Sequence, residues 1–289
     1  MTVRPVWAAT AWLGEPTVGF VDGIRQLLRL SQGLDVAGWE VSCRISLHSV
    51  SSQRLLMGLR TEGVAPSRLH GIAGELGMPE HLAESFRLRL SHTSEILLAV
   101  EARQQDLELR AYQRYDNPQD AVSMRGFKWM RGDPDQYRIT EYARADKTSA
   151  EIVSVYEQQA RAASLGHRPA TASAYQAAAA IARSAQQRYP IQRSVDFLNV
   201  SEMTGERLSS CLRLYESGLQ FRDVLEPISE LLSRWELDSE RARIISVMTT
   251  RPLGWIAVGE DSARTPFLTV YGQGSLLDAR RAIGVGVAR

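Results

Sequence analysis

Residues 39–46 read Trp-Glu-Val-Ser-Cys-Arg-Ile-Ser, in which apolar and polar side chains alternate. The apolar positions are Trp39, Val41, Cys43 and Ile45. The polar positions are Glu40, Ser42, Arg44 and Ser46. Successive side chains of a β-strand point to opposite faces, so the alternation predicts a strand with one face packed against an apolar core. The opposite face would carry a carboxylate and a guanidinium.

Three later segments show the same alternation and place polar side chains, mostly arginine and tyrosine, on one face. The residues on those faces are Arg110, Tyr112 and Arg114 in 107–114, Arg213 and Tyr215 in 211–215, and Thr269, Tyr271 and Gln273 in 267–273. Guanidinium groups and phenol hydroxyls donate hydrogen bonds to anions. If these faces share the inside of a barrel, they form an anion site.

Composition places the chain among ordinary globular proteins. Of 289 residues, 44% are hydrophobic and 23% are charged. The formal net charge of +1 argues against a nucleic-acid-binding protein that relies on a strong general field.

The beginning of the sequence bears on location. No long apolar segment follows Met1, so neither a secretory signal nor a membrane anchor is visible, and we expect a cytoplasmic protein without a membrane partner. Cys43 and Cys211 both fall in predicted strands, and Cys43 is expected to be a buried free thiol.

Periodicity and turn residues predict antiparallel strand pairs with helices between most of them. The predicted strands are 39–47, 53–60, 94–103, 107–115, 122–131, 136–143, 194–200, 208–215, 252–259 and 266–273. The predicted helices are 18–31, 67–76, 148–163, 171–187 and 222–235. A turn is predicted at 132–135 and a linker at 165–169. Residues 39–116 and 193–274 share one strand-strand-helix-strand-strand plan.

This order predicts an α+β fold in which about ten antiparallel strands close into a barrel inside a ring of helices. The polar faces would line the lumen, and residues 1–289 would form a single domain. An open sheet with one face in solvent is the alternative. The amphipathic helices, which need a surface to cover, favour closure, as do the arginines and tyrosines on the polar face.

Several of these segments resemble the aromatic prenyltransferases of the ABBA (PT) barrel type, and within them the peptide-modifying enzymes of cyanobactin biosynthesis. The resemblance is clearest in residues 39–45, in the Arg-x-Tyr-x-Arg motif at 110–114, and in the closing hairpin at 254–259 and 266–271. One departure is that no helix is predicted between the hairpins at 94–115 and 122–143.

The resemblance implies transfer of a dimethylallyl or geranyl group from an allylic diphosphate to a side chain of a peptide, a modification of ribosomally made (RiPP) peptides. It also implies Mg²⁺ bound with the diphosphate, and a glutamate at position 40 that accepts the proton of the acceptor or positions its nucleophile. The alternative for Glu40 is a structural salt bridge to Arg44 along one strand.

Cations and hydroxyls must meet the charge that develops on the leaving pyrophosphate. The candidates are Arg44, Arg54, Arg110, Tyr112, Arg114, Lys128, Arg213, Tyr215 and Tyr271. No Asp-Asp-x-x-Asp run is present, so no residue is predicted to bind the metal directly.

Two other functions stay open at this stage: a barrel enzyme for another phosphorylated substrate, and a noncatalytic binding or assembly protein. The acceptor is also open. Aromatic walls would accept indole, phenol or imidazole, whereas an acidic rim would favour a guanidinium. Such a rim could come from Glu62, Glu141, Glu202 and Glu216. The length of the donor depends on whether Gly58 or Gly126 deepens the cavity.

Overall fold

A computed structural model describes residues 16–103, 106–116, 121–189, 195–203 and 205–284. Eleven strands form one sheet. They are β1 (Val36–Ser46), β2 (Ser49–Ser51), β3 (Arg54–Arg60), β4 (Thr93–Arg103), β5 (Asp106–Tyr115), β6 (Val122–Met130), β7 (Asp133–Lys147), β8 (Val195–Glu202), β9 (Gly205–Arg213), β10 (Leu253–Glu260) and β11 (Pro266–Gly274).

Pairing of the first and last long strands closes the sheet. β1 runs antiparallel to β11, from Trp39 opposite Gly274 to Ser46 opposite Phe267. The short strand β2 pairs with β1 at the end of the strand order. The other ten of the eleven strands form a continuous antiparallel ring. The predicted closed barrel is therefore confirmed, and the open sheet is excluded.

Helices pack on the outside of this ring. They are α1 (Val18–Leu30), α2 (Pro66–Glu75), α3 (Glu80–Arg87), α4 (Ser149–Leu165), α5 (Pro169–Arg188), α6 (Leu225–Arg234), α7 (Asp238–Met248) and α8 (Leu276–Ala282). Short 3-10 helices span Leu90–His92, Tyr215–Ser217 and Phe221–Val224.

The main core lies between the helices and the outer face of the barrel. The apolar side chains of β1, from Trp39 to Ile45, belong to it, as do Ile24 and Leu27 of α1. Burial in this core raises the pKa of the Cys43 thiol to about 12. The alternation read from residues 39–46 thus separates core from lumen as predicted.

Local chemistry sets several helix boundaries. The Thr17 side chain accepts a hydrogen bond from the Phe20 N–H at the start of α1. Thr148 and Glu151 form a capping box at the start of α4, and each satisfies a backbone N–H that would otherwise be unpaired. α4 ends at Leu165 and α5 begins at Pro169, which confirms the predicted linker.

Some predicted boundaries were wrong. Strand β7 begins at Asp133, so most of the predicted turn at 132–135 is strand. Residues 133–137 are exposed, and Pro134 is tolerated in a strand where no ladder hydrogen bond is required of it. The predicted helix 222–235 is a 3-10 turn followed by α6, and α3, α7 and α8 were not predicted.

Strand β9 also ends earlier than predicted, at Arg213 instead of residue 215. Tyr215 therefore begins a 3-10 helix. Among the described residues, no helix is both long and apolar enough to span a bilayer. The expectation of one domain over 1–289 stays a prediction.

Replacement of Ile45, which is fully buried between the barrel and its helices, tests this architecture. We expect Ile45→Ala to lower the free energy of unfolding by about 2–5 kcal/mol, because it removes apolar contacts and leaves a cavity. Val18→Ala, at a position that is 79% exposed, is the control and should change it by less than about 0.5 kcal/mol. Equal losses in denaturant titrations would contradict the assigned core.

Candidate active site

The inward faces of the strands enclose a cavity of about 610 Å³. All ten side chains selected from the sequence line it. They are Glu40, Arg44, Arg54, Arg110, Tyr112, Arg114, Lys128, Arg213, Tyr215 and Tyr271. The barrel therefore gathers these residues around one space, although it distributes them between the two ends.

Strand β5 shows how the cavity is divided. Arg110, Tyr112 and Arg114 alternate along it and all face the lumen. Because a strand rises about 3.3 Å per residue, the two arginines lie about 13 Å apart along the strand, with Tyr112 between them. On β4, Glu101 and Glu95 likewise flank the apolar Ala99 and Leu97.

One end of the cavity, which we call the cationic layer, combines five cations with two carboxylates. Its members are Arg54, Arg103, Arg110, Lys128, Arg138, Glu101 and Glu108. Glu101 pairs with Arg54 Nε at 2.9 Å and also with Arg110. Glu108 accepts from Arg110 Nε at 2.6 Å and from Arg138 Nη2 at 2.7 Å.

These two carboxylates stay ionised in spite of their burial. Desolvation favours their neutral forms, but the surrounding guanidinium groups, Arg110 foremost, hold the pKa values of Glu101 and Glu108 below the usual range. With five cations against two carboxylates, the layer has three positive charges in excess.

The middle of the cavity is apolar. This apolar belt consists of Ala99, Tyr112, Tyr142, Leu198 and Val200, with Leu56, Leu97, Met124, Cys211 and Trp255 packed against them. The rings of Tyr112 and Tyr142 meet edge to face with centroids 6.0 Å apart. Tyr271 lines the cavity at the border with the cationic layer, and its ring centroid lies 5.9 Å from the Arg54 guanidinium carbon.

Two glycines leave room for neighbouring polar and aromatic side chains. A Cβ on Gly126 would lie 2.7 Å from the ring of Tyr112 and 2.6 Å from Thr140 Oγ1. A Cβ on Gly58 would lie 2.7 Å from a carboxylate oxygen of Glu95. Because both spaces are filled, neither glycine deepens the cavity.

The opposite end, which we call the Glu40 end, holds the acid-base group selected from the sequence. The Tyr215 hydroxyl donates a hydrogen bond to Glu40 Oε1. Burial raises the pKa of the Glu40 carboxyl to about 7, and the Tyr215 hydrogen bond opposes that rise. The ring of Tyr215 lies against Gly254, where a Cβ would be 2.7 Å from the phenol oxygen.

Three arginines of the Glu40 end converge on Asp196. Arg213 approaches its carboxylate at 3.1 Å, Arg144 at 3.6 Å and Arg114 at 3.7 Å. Arg114 also lies 3.6 Å from Glu95. The three arginines balance the three carboxyls Glu40, Glu95 and Asp196, so this end carries no excess charge when all are ionised.

Glu40 and Arg44 do not form the salt bridge considered from the sequence. Arg44 Nη2 pairs with Asp261 at 2.9 Å, and its guanidinium carbon lies 4.0 Å from the centroid of Phe267. Residues four apart on one strand have Cα atoms about 13 Å apart, and the Glu40 carboxylate here accepts from Tyr215 instead.

Eight further charged residues line the cavity and were not predicted from the sequence. They are Glu95, Glu101, Arg103, Glu108, Arg138, Arg144, Asp196 and Asp261. The alternation used for residues 39–46 also places Glu95, Glu101 and Arg103 on one face of the predicted strand 94–103. Arg114, Arg213 and Tyr215, expected around a diphosphate, lie at the Glu40 end.

Protein ligands for a magnesium ion are not evident in this lumen. Within the described parts of the chain, no group of three or more His, Cys, Asp or Glu residues is placed to hold a metal. Glu101 and Glu108 already accept from arginines. The donor set therefore does not fit a metal held by the protein, and only a magnesium ion carried by the diphosphate itself stays compatible.

The pKa of Glu40 has a consequence for stability. The ordinary pKa of a glutamate carboxyl is 4.5, and that of Glu40 in the folded chain is about 7. Between these two pH values the Glu40 carboxyl is ionised in the unfolded chain but protonated in the folded chain. Folding stability of the wild type should therefore fall as the pH rises through this window.

In Glu40→Gln the corresponding group cannot ionise, so the melting temperature of this variant relative to wild type should increase from pH 5 to pH 8 and then level off. Exposed Glu62→Gln controls for the loss of one charge. A difference between Glu40→Gln and wild type that does not change with pH would show that Glu40 ionises normally in the folded chain.

No protein-family model matches this chain, and no curated protein sequence matches it. Solved structures do match. The 5-dimethylallyltryptophan synthase from Streptomyces coelicolor is 12% identical with a TM-score of 0.53, and the match covers 96% of this chain and 100% of that one. AnaPT from Neosartorya fischeri is 12% identical with a TM-score of 0.51, over 90% of this chain and 95% of that one.

NotF in complex with brevianamide F and DMSPP is 11% identical with a TM-score of 0.51, over 93% of this chain and 98% of that one. At such identities the likeness concerns the fold. The finer resemblance to cyanobactin enzymes stays a prediction. The chain has the closed ten-stranded barrel fold of the ABBA-type aromatic prenyltransferases.

Proposed function

We propose that this chain is a prenyltransferase that moves a prenyl group from an allylic diphosphate to an aromatic ring of its acceptor. The observation that carries the proposal is the polarity of the cavity. A cationic layer and a carboxyl with a pKa of about 7 lie at opposite ends of one lumen, with an apolar belt between them. The cationic layer suits the leaving pyrophosphate, the apolar belt suits the allylic carbocation, and the Glu40 carboxyl suits the departing proton.

Charge supports the diphosphate end. The cavity as a whole is lined by nine cations and six carboxyls, and the excess of three lies in the cationic layer. An allylic diphosphate carries about three negative charges at neutral pH. The guanidinium groups of Arg54 and Arg110 would stabilise the charge that develops on the leaving oxygen.

The apolar belt suits the reactive intermediate. Tyr112, Tyr142, Tyr271 and Trp255 line the cavity, and an aromatic face stabilises a cation by about 0.5–2 kcal/mol. The same side chains exclude water, which would otherwise capture an allylic cation as an alcohol.

In the proposed reaction, the bond between the allylic carbon and the diphosphate oxygen breaks, and its electrons leave with the pyrophosphate. A carbon of the acceptor ring then forms a bond to the allylic carbon. The proton on that ring carbon passes to the Glu40 carboxylate, which restores aromaticity. Tyr215 holds Glu40 in place and favours its ionised form.

The structural neighbours support the aromatic acceptor. One is named for dimethylallyltryptophan, and another was crystallised with brevianamide F and DMSPP. At the Glu40 end, Asp196 already pairs with three arginines and Glu95 with Arg114, so these carboxylates are engaged and do not form an acidic site for a guanidinium acceptor. Moreover, none of the glutamates considered for an acidic rim lines the cavity. We therefore propose an indole or phenol acceptor.

We further propose that the acceptor ring belongs to an aromatic side chain of a peptide, as in the cyanobactin (RiPP) pathways. Arg144 and Arg213 at the Glu40 end are 39% and 30% exposed, so a ring can enter there while the rest of the peptide stays outside. The filled spaces at Gly58 and Gly126 favour dimethylallyl over geranyl as the group transferred. Mg²⁺, if required, would bind the diphosphate.

The test is incubation of the purified chain with dimethylallyl or geranyl diphosphate and a panel of acceptors, with Mg²⁺ or with EDTA. The acceptors are tryptophan, tyrosine, cyclic dipeptides, and linear and cyclic peptides that contain these residues. Mass spectrometry should show the gain of one dimethylallyl unit on an aromatic ring. Binding of diphosphate without any product would instead favour a barrel that acts on another phosphorylated substrate.

Two arginines on strand β7 offer a matched comparison of the two ends. Arg138 and Arg144 are 36% and 39% exposed, but only Arg138 belongs to the cationic layer. We expect Arg138→Ala to raise the KM for the prenyl diphosphate roughly ten- to a hundredfold. This is the effect expected from the loss of one hydrogen bond to a charged group. Arg144→Ala should leave that KM within about threefold. Equal effects would contradict the assignment of the ends.

The pH profile tests the role of Glu40. Activity should rise as Glu40 ionises near pH 7, and Glu40→Gln should lower kcat by about 10²–10⁴-fold. Because the Tyr215 hydrogen bond lowers the pKa of Glu40, Tyr215→Phe should move the rising limb of kcat/KM to higher pH. A rising limb that stays in place in Tyr215→Phe would contradict the pairing as a functional one.

A further inference from the structure

The cationic layer contains two carboxylates, which would repel a bound diphosphate. Glu101 and Glu108 face each other across strands β4 and β5, and their side chains are 1% and 2% exposed. Both line the cavity. Two negative charges are thus fixed inside the site that is proposed to receive an anion.

Glu101 is held less completely than Glu108. Its Oε2 pairs with Arg54 and Arg110. Its Oε1 has Arg103 Nη2 at 3.2 Å but receives no hydrogen bond from the described residues. Glu108, in contrast, accepts hydrogen bonds on both oxygens, from Arg110 and Arg138.

Two of the guanidinium groups that pair with Glu101 also face the cavity that would receive a ligand. Arg54 and Arg110 are buried and line the cavity. Arg54 also points to Thr269 Oγ1 at 3.5 Å and approaches the Tyr271 ring. A diphosphate that enters the layer must therefore share these N–H donors with Glu101.

We propose that Glu101, supported by Glu108, is an internal counter-anion of the diphosphate site. It positions Arg54 and Arg110 before the ligand binds, shares them with the ligand, and keeps the affinity for the anion low enough for pyrophosphate to leave after transfer. This inference rests on the proposed function, because it assumes that the cationic layer receives the diphosphate.

The physical basis is repulsion between like charges in a poorly screened lumen. A phosphate oxygen and the Glu101 carboxylate repel each other more strongly inside the barrel than in water, because the effective dielectric constant is lower there. Neutralising Glu101 would remove this repulsion. It would also raise the excess positive charge of the layer and free hydrogen-bond donors of Arg54 and Arg110 for the ligand.

Two other roles for Glu101 lead to different results. If the carboxylate only balances buried arginines, its loss should destabilise the fold without a gain in anion affinity. If it binds magnesium, its loss should weaken diphosphate binding when Mg²⁺ is present. Only a counter-anion predicts tighter binding after neutralisation.

The experiment is calorimetric titration of the full chain with inorganic pyrophosphate, in EDTA and again with Mg²⁺. Glu101→Gln is compared with wild type and with Glu95→Gln. Glu95 lies on the same strand β4 but at the Glu40 end, where it pairs with Arg114 at 3.6 Å. We expect the dissociation constant of Glu101→Gln for pyrophosphate to fall by about tenfold or more, because the ligand gains hydrogen bonds from charged groups that Glu101 otherwise occupies. That of Glu95→Gln should stay within about threefold.

Thermal melts give a second readout. Glu101→Gln should melt below wild type without ligand, yet pyrophosphate should raise its melting temperature by more than that of wild type. If this variant does not fold, Glu101→Asp replaces it. The shorter side chain keeps the charge but moves it away from Arg54 and Arg110. The affinity for pyrophosphate should therefore also rise, by about threefold.

The outcomes separate this inference from the proposed function. If wild type binds pyrophosphate and the Glu101 variants bind it equally or more weakly, with or without Mg²⁺, the counter-anion is overturned while the diphosphate site stands. If neither wild type nor the variants bind pyrophosphate, both are overturned. If the variants bind more tightly, the counter-anion is supported whichever acceptor is found.

Discussion

The antiparallel pairing of β1 with β11 is the constraint on which the rest of this structure depends. It turns a row of strands into a ring, so that every second side chain must enter a shared lumen. It also sets Arg44 opposite Thr269 and Ser42 opposite Tyr271. Because every long strand described is paired on both sides, the polar faces reach bulk solvent only through the ends of the ring, and most of their charges must be balanced inside.

That balance explains the arrangement of the lumen. A buried guanidinium or carboxylate is expensive without a partner. Arg54 and Arg110 are therefore held by Glu101 and Glu108, and the arginines of the other end by Asp196. The charges separate into two layers because the apolar belt between them offers no partner to either. Stability favours these ion pairs, whereas the excess of three positive charges in the cationic layer serves the chemistry proposed for it.

The fold was largely predictable because its signal is local. Alternation in residues 39–46 is visible without any knowledge of the neighbouring strands. It correctly placed Val41, Cys43 and Ile45 in the core and Glu40, Ser42 and Arg44 at the cavity. All ten selected side chains also reached the cavity. What was not predictable is which residues meet across strands. The contact between Tyr215 and Glu40 joins positions 175 residues apart, and no periodicity relates them.

Partners from different strands were missed for the same reason. Asp196 collects arginines from β5, β7 and β9, and each of these contacts depends on register and strand tilt, which a single sequence does not encode locally. The sequence predicts strand as far as Tyr215, where a 3-10 turn begins, because the alternation continues for two residues past Arg213. The Gly254 backbone, which leaves space for the ring, gives no signal of its own in the sequence.

The strict separation of the two faces of each strand has an evolutionary consequence. The outer face requires only apolar side chains that fill the space under the helices. Its residues can therefore be exchanged for other apolar residues as long as neighbouring side chains compensate for the change in volume. The inner face requires particular charges, and it can be retuned for a new ligand without repacking the core. Because the fold depends on the alternation of apolar and polar side chains and not on particular residues, two chains can share this architecture at only 12% identity. It also makes such a barrel a tolerant scaffold for the divergence of specificity.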